Sequence, residues 1–184
     1  MVHWYQLKSV EEKGWIERIE KMPTISNWPQ QVENGVDKPK LNHEQALAIA
    51  SVNSQSGFAC YLLEGVTGSG KTEVYLNLIK PVLEKGRQAL VLVPEIGLTP
   101  QTINRFKHRF NVPVDVIHSG LNDTERLNAW LSARDKAAGI IIGTRSALLT
   151  PFADLGIIIV DEEHDSSYKQ QDSLRYHARD VAVM

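Results

Sequence analysis

Hydrophobic and polar positions along this chain fall into two regimes that meet near Leu41. Beyond it, short apolar runs alternate with stretches of helical period. Asn42 is a predicted cap for a helix through Glu44-Gln45-Ala46-Leu47-Ala48-Ile49. A strand follows over 60–64, then a glycine-rich turn, then a helix from about Thr72. Within that helix Tyr75, Leu78, Ile79, Val82 and Leu83 fall at i, i+3, i+4, i+7 and i+8, one apolar face. Lys85-Gly86 suits its C-terminal cap, and Pro81, off the stripe, predicts a kink.

The run 89–93 reads as a buried strand. Thr99-Pro100 opens the next helix as cap and first residue, with Ile103, Phe106 and Phe110 facing inward. A short strand over 114–117 precedes a helix capped by Asp123, whose Leu127, Trp130 and Leu131 form the expected core side. The β-branched runs 139–142 and 157–160 are two more strands. Because these runs are continuous rather than alternating, both faces of each strand are expected to be covered. That predicts a mainly parallel sheet between helical layers, a three-layer α/β/α domain.

Residues before Leu41 look different. They hold Trp4, Trp15 and Trp28 and the loop-like pieces Asn27-Trp28-Pro29, Asn34-Gly35 and Pro39. Residues 1–40 therefore read as the tail of a preceding module plus a linker, and 41–184 as the main domain.

Composition bounds this reading without changing it. The chain has 184 residues, 42% hydrophobic and 23% charged, enough for one α/β domain with a core and against chain-wide disorder. A net charge of −2 does not advertise a nucleic-acid binder, although a motor needs only one basic stripe. Cys60 is the single cysteine, so this stretch holds no internal disulfide and no cysteine zinc site. Its apolar neighbours predict a buried strand residue. Residues 1–8 lack the apolar core of a signal peptide, and no window reaches the roughly 20 apolar residues of a membrane span. The cytoplasm is the expected compartment.

The strongest chemical signal is Gly65-Val66-Thr67-Gly68-Ser69-Gly70-Lys71-Thr72, which matches G-x-x-x-x-G-K-[ST] at every fixed position. Glycines let backbone N–H groups wrap phosphate oxygens, and the helix N-terminus adds its positive end. Lys71 can reach the outer phosphates of ATP, and the Thr72 hydroxyl can bind Mg²⁺. The second signal is Asp161-Glu162-Glu163-His164, directly after an apolar strand. An acid at the carboxyl end of a parallel strand beside a phosphate loop suits a Mg²⁺ partner, Asp161. Glu162 then orients or deprotonates the attacking water.

The Asp-Glu-x-His pattern ending at His164 resembles one large class of helicases, and the segment from Leu41 onward resembles the first RecA-like lobe of a superfamily 2 helicase. That likeness adds Gln45 to the nucleotide contacts and His164 to the catalytic set. A closer resemblance is to the PriA family (primosomal protein N′) of replication-restart helicases. It rests on 65–75, on Val93-Pro94-Glu95-Ile96-Gly97-Leu98-Thr99-Pro100-Gln101, on His118-Ser119-Gly120, on Gly143-Thr144-Arg145-Ser146-Ala147, and on 161–170.

The resemblance implies a 3′→5′ DNA helicase that reloads the replication machinery, with forked and single-stranded DNA, primosome proteins and single-strand-binding protein as partners. It implies winged-helix ancestry for residues 1 to about 23, and zinc elsewhere in the parent protein but not in this stretch. It makes Pro94, Glu95, Thr99 and Gln101 one single-strand contact, and Thr144, Arg145 and Ser146 another. Both follow predicted strands on the edge that carries the nucleotide site, where hydroxyls and free N–H groups suit phosphate contacts. Tyr168, Lys169, Arg175 and Tyr176 mix aromatic and basic character in the usual manner of single-strand holders, although Leu174 stands where the family carries a bulky aromatic. Arg105 and Arg109, with Lys107 and His108, form either an extension of the basic track or a solvated helix face.

No second lobe follows before Met184, so the expectation is a domain that binds Mg-ATP weakly without useful turnover. Two other readings stay open: a double-strand translocase of the same superfamily, and a non-motor docking platform for primosome partners. Intact Lys71, Thr72, Asp161 and Glu162 argue against the latter.

Overall fold

The structure, a computed structural model, describes residues 28, 32–34, 39–172 and 174–184. The expected winged-helix tail lies outside the described residues.

The β-branched runs form four strands, β1 (Gln88–Leu92), β2 (Val114–Ile117), β3 (Ile140–Gly143) and β4 (Leu155–Val160). They pair in the order β2-β3-β1-β4, every neighbour parallel. Leu92 sits opposite both Gly143 and Val160, so β1, β3 and β4 end level. The chain segments that leave these strands therefore emerge at one edge of the sheet.

Successive residues of β1 point to opposite faces. Ala89 and Val91 join a core cluster with Leu76, Ile79 and Leu83 of α2 (Lys71–Glu84) and Phe106 of α3 (Pro100–Arg109). Leu90 and Leu92 join a second cluster with Ala129 and Ala133 of α4 (Asp123–Arg134) and Ala178 of α5 (Ala178–Val183). Helices thus cover both faces, and each buried Leu or Ile contributes about 1.5–3 kcal/mol. This is the expected three-layer α/β/α, RecA-like arrangement. No helix among the described residues is long and apolar enough to cross a membrane.

Local signals set the helix ends. Asn42 and Gln45 form a reciprocal capping box at the start of α1 (His43–Asn53). Gly86, at φ +69, ends α2 with Gly86 N–H donating to Leu83 O and Arg87 N–H to Val82 O. Thr99 and Pro100 begin α3 as expected.

Three expectations need correction. Residues 60–64 form no strand and pair with no strand among the described residues, and Cys60 is exposed. Apolarity alone does not supply a ladder partner, and of this run only Leu63 packs on the core. On α4 the cap is Asn122, and the buried face is Ala129 and Ala133, while Leu127 and Trp130 are exposed. Small residues let that helix lie close on the sheet, leaving Trp130 under the Arg134 guanidinium at 5.7 Å. Finally, part of the expected linker is built into the domain. Val32 is buried, Asn111 N–H donates to its carbonyl, and the Asn34 amide caps α3 through His108 O at 3.0 Å.

Candidate active site

The loop 65–70 is exposed and enters α2 through Gly70, which caps the helix at φ +84. Gly68 takes a similar value, and an L side chain is strained at both. A Cβ on Gly70 would also stand 2.5 Å from Gln45 Nε2. That amide donates to Ser69 O at 2.9 Å, while the same side chain closes the α1 capping box. Gln45 therefore ties the first helix of the domain to the back of the phosphate loop. The Lys71 ammonium donates to Gly65 O at 2.8 Å and lies 3.6 Å from Glu162 Oε1. The N–H groups of Lys71 and Thr72, first in α2, have no acceptor within the helix.

The acidic end is fixed from three sides. Asp161 N–H donates to Leu92 O, which carries the β1–β4 ladder one residue past the strand. The Tyr75 hydroxyl, from α2, donates to Asp161 Oδ1 at 3.0 Å. The Tyr168 hydroxyl donates to Asp161 O at 2.7 Å. Burial, then the negative charge of Asp161, pushes both phenols well above their ordinary pKa, so each stays a neutral donor. Glu162 sits in the left-handed region at φ +47, a strained position for a non-glycine residue. Its second oxygen lies 3.7 Å from Nε2 of the exposed His164. Arg179 of α5 holds Glu163 at 2.8 Å.

This donor set fits Mg-ATP. Magnesium accepts one or two protein oxygens with water and phosphate completing its shell. No group of three or more His, Cys, Asp or Glu residues suited to a metal exists among the described residues. A single carboxylate and a hydroxyl would suffice, and Asp161 and Thr72 are the candidates.

The expected single-strand contacts separate into free and committed groups. Glu95, Thr99, Gln101, Ser146, Lys169 and Arg175 are exposed, whereas Pro94 and Thr144 are buried. Arg145 donates to Ser167 O and Lys169 O at 2.9 and 2.8 Å, so it braces the loop after β4 rather than standing free. Tyr168 is wholly buried and cannot stack on a base, a correction to its expected role. The sequence pattern of aromatic beside basic residues does not reveal which ring turns inward. Lys169–Gln170 (β5) pairs antiparallel with Tyr176–His177 (β6), and a cleft of about 490 Å³ lies along this hairpin beside Arg175. Arg109 is no part of a basic track; it is buried against Glu33 and Glu73. The contacts of Tyr75 with Asp161 and of Arg109 with Glu73 were not legible in the sequence, because proximity in space between residues 36 or more apart is not written in the chain.

The model of the DEAD/DEAH box helicase family matches residues 42–183. The chain belongs to that family. Along its length it is similar to the replication restart protein PriA of Haemophilus influenzae, 55% identical over 98% of this chain and 25% of the relative. It is 56% identical to PriA of Bacillus subtilis over 67% of this chain and 15% of the relative. The chain thus spans about a quarter or less of these curated relatives. Among solved structures it resembles RecG bound to a three-way DNA junction, with a TM-score of 0.62 and 26% identity over 73% of this chain and 20% of that one. It shares its fold with the UvsW helicase of bacteriophage T4, with a TM-score of 0.55 and 17% identity over 98% and 64% of the two chains.

Proposed function

We propose that these residues are the ATP-binding lobe of a cytoplasmic replication-restart helicase that moves 3′→5′ along single-stranded DNA at forks, in company with primosome and single-strand-binding proteins. The likeness to PriA sequences over nearly the whole chain supports the restart role. The observation that carries the nucleotide reading is Lys71, held between Gly65 O and Glu162 at the mouth of the phosphate loop. An ammonium there can exchange both contacts for phosphate oxygens.

In this reading the loop amides of 65–72 cradle the phosphates, Gln45 braces the loop, and Thr72 and Asp161 hold Mg²⁺. Bound Mg²⁺ with its nucleotide neutralises charge on the phosphoryl oxygens. Glu162 orients the attacking water and takes its proton, with His164 beside it. Glu95, Thr99, Gln101, Ser146, Lys169 and Arg175 contact the strand, with Pro94, Thr144, Arg145 and Tyr176 shaping the segments that carry them.

Arginines near the site are already committed: Arg145 to carbonyls, Arg109 and Arg179 to carboxylates. Among the described residues none of these three is free to stabilise the transferring phosphoryl group, a contribution of about 10³–10⁵ in rate. These 184 residues are expected to bind Mg-ATP without efficient turnover. The test is Mg-ATP binding and hydrolysis with and without single-stranded DNA, beside Lys71→Ala. Binding that Lys71→Ala abolishes supports the reading, and DNA-stimulated turnover by these residues alone overturns the half-site account.

A further inference from the structure

Arg109, the last residue of α3, is 4% exposed and is flanked by two carboxylates from different parts of the chain. Its Nε donates to Glu33 Oε1 at 2.8 Å and its Nη2 to Glu73 Oε1 at 2.7 Å. The other oxygen of Glu33 takes the Lys80 ammonium at 3.1 Å, and Glu73 Oε1 also accepts from Asn77 Nδ2. Two acids and two cations form a quartet, with a third acid, Glu84, 3.8 Å from Lys80 at its exposed rim. Most of it is shielded from water, since the Arg109, Glu33 and Glu73 side chains are 5%, 9% and 14% exposed.

The position of Glu73 gives the quartet its significance. It lies two residues beyond Lys71, and its N–H donates to Gly70 O, so it belongs to the junction of phosphate loop and helix. That helix end attracts anions with roughly half an elementary charge. A bare carboxylate in the same turn would oppose a polyanionic ligand through a poorly screened interior. Burying Glu73 without a cation would also be costly in itself.

We propose that Arg109 is a positioning residue for nucleotide binding, which neutralises and anchors Glu73 so that the first turn of the phosphate-loop helix stays fixed and net attractive to a nucleoside triphosphate. The inference rests on the reading of 65–72 as the nucleotide site. Glu33 makes the anchor depend on residues 32–34, whose main chain is bridged to 109–111 beside it. The upstream segment is therefore tied to the phosphate-loop helix through the Arg109 guanidinium and the Lys80 ammonium.

The experiment titrates this chain with Mg²⁺ and fluorescent N-methylanthraniloyl-ATP, recording Tm without nucleotide in parallel. Arg109→Met is expected to raise Kd at least tenfold, and Glu73→Gln to bind at least as tightly as the parent. The double variant should return to within about threefold of the parent, because no charge is then left uncompensated in the turn. A folded Arg109→Met that binds like the parent overturns the proposal, as does a double variant as weak as Arg109→Met. Should Arg109→Met not fold, Arg109→Lys replaces it: one ammonium cannot span both acids, so about threefold weaker binding is expected and unchanged binding overturns the idea. Lys71→Ala separates the two claims. A parent chain that binds no better than Lys71→Ala removes the nucleotide reading and this inference with it. Lys71-dependent binding that ignores Arg109 removes the inference alone.

Discussion

The Tyr168 hydroxyl donates a 2.7 Å hydrogen bond to the main-chain carbonyl of Asp161, and its ring is wholly buried. Seven residues after Asp161, the chain thus turns back and pins the motif's own backbone. Arg145 meets the same turn from the short helical turn that follows β3, donating to Ser167 O and Lys169 O. The aromatic–basic hairpin begins immediately beyond, so its position and that of Asp161 are set by one turn.

Tyr168→Phe should keep the packing and leave the Asp161 carbonyl short of a donor, lowering stability by about 1 kcal/mol. Tyr168→Ala should cost about 3–5 kcal/mol, like other large-to-small core changes. Thermal or urea unfolding measures both. Single-strand affinity of Tyr168→Phe should match the parent, and a fall of tenfold or more would mean that the hydroxyl's hold on Asp161 O also sets the strand contacts.

Tyr75→Phe removes the hydroxyl that orients Asp161 Oδ1. The Mg²⁺ concentration needed for half-maximal nucleotide binding should rise about threefold to tenfold, the range of an ordinary net hydrogen-bond contribution of about 0.5–1.5 kcal/mol. Titrating Mg²⁺ at fixed fluorescent nucleotide reads this directly. An unchanged midpoint would reduce Tyr75 to a filler of the core.

Gln88 has no exposed surface, yet all its polar atoms are paired. Its Nε2 donates to Ala133 O and Ala138 O, and its Oε1 accepts from Ala153 N–H and Asp154 N–H. It joins the end of α4 to the start of β4. Gln88→Met preserves volume but orphans four backbone groups, each costing about 1–3 kcal/mol if water does not reach it. Severe loss of stability, or failure to fold, is expected by denaturant titration. A change below 1 kcal/mol would show that the site hydrates freely.

Asp154 is paired with Arg87 and Lys136, and the Arg87 hydrogen bond in particular holds its carboxyl below the ordinary range. A depressed folded-state pKa adds stability above the unfolded value near 3.9, and that stability is lost as pH falls through the folded value. Asp154→Asn should therefore lower Tm modestly at pH 7, with the gap to the parent closing below about pH 4. A gap that persists unchanged at pH 3 would assign the effect to packing rather than charge.

What the sequence alone determined is what depends on neighbours in the chain. The phosphate loop requires glycine at Gly68 and Gly70 because the backbone turns left-handed there, and residue type records that demand. Thr99-Pro100 and Asn42 with Gln45 mark helix starts because caps act over three or four residues. The apolar strands 89–93 and 157–160 declared a parallel sheet because both their faces had to be covered.

The tertiary structure decided what depends on partners distant in sequence. The apolar run at 60–64 finds no ladder, since hydrophobicity records burial and not pairing. Ala129 and Ala133, rather than Leu127 and Trp130, face the sheet because close approach selects small side chains. Tyr168 turned inward, and Arg109 chose Glu33 and Glu73 over solvent. A guanidinium reads the same in sequence on a wet helix face as it does between two buried acids. Only the register of β1, β3 and β4, which ends them level, brings Lys71 to Glu162 and Tyr75 to Asp161.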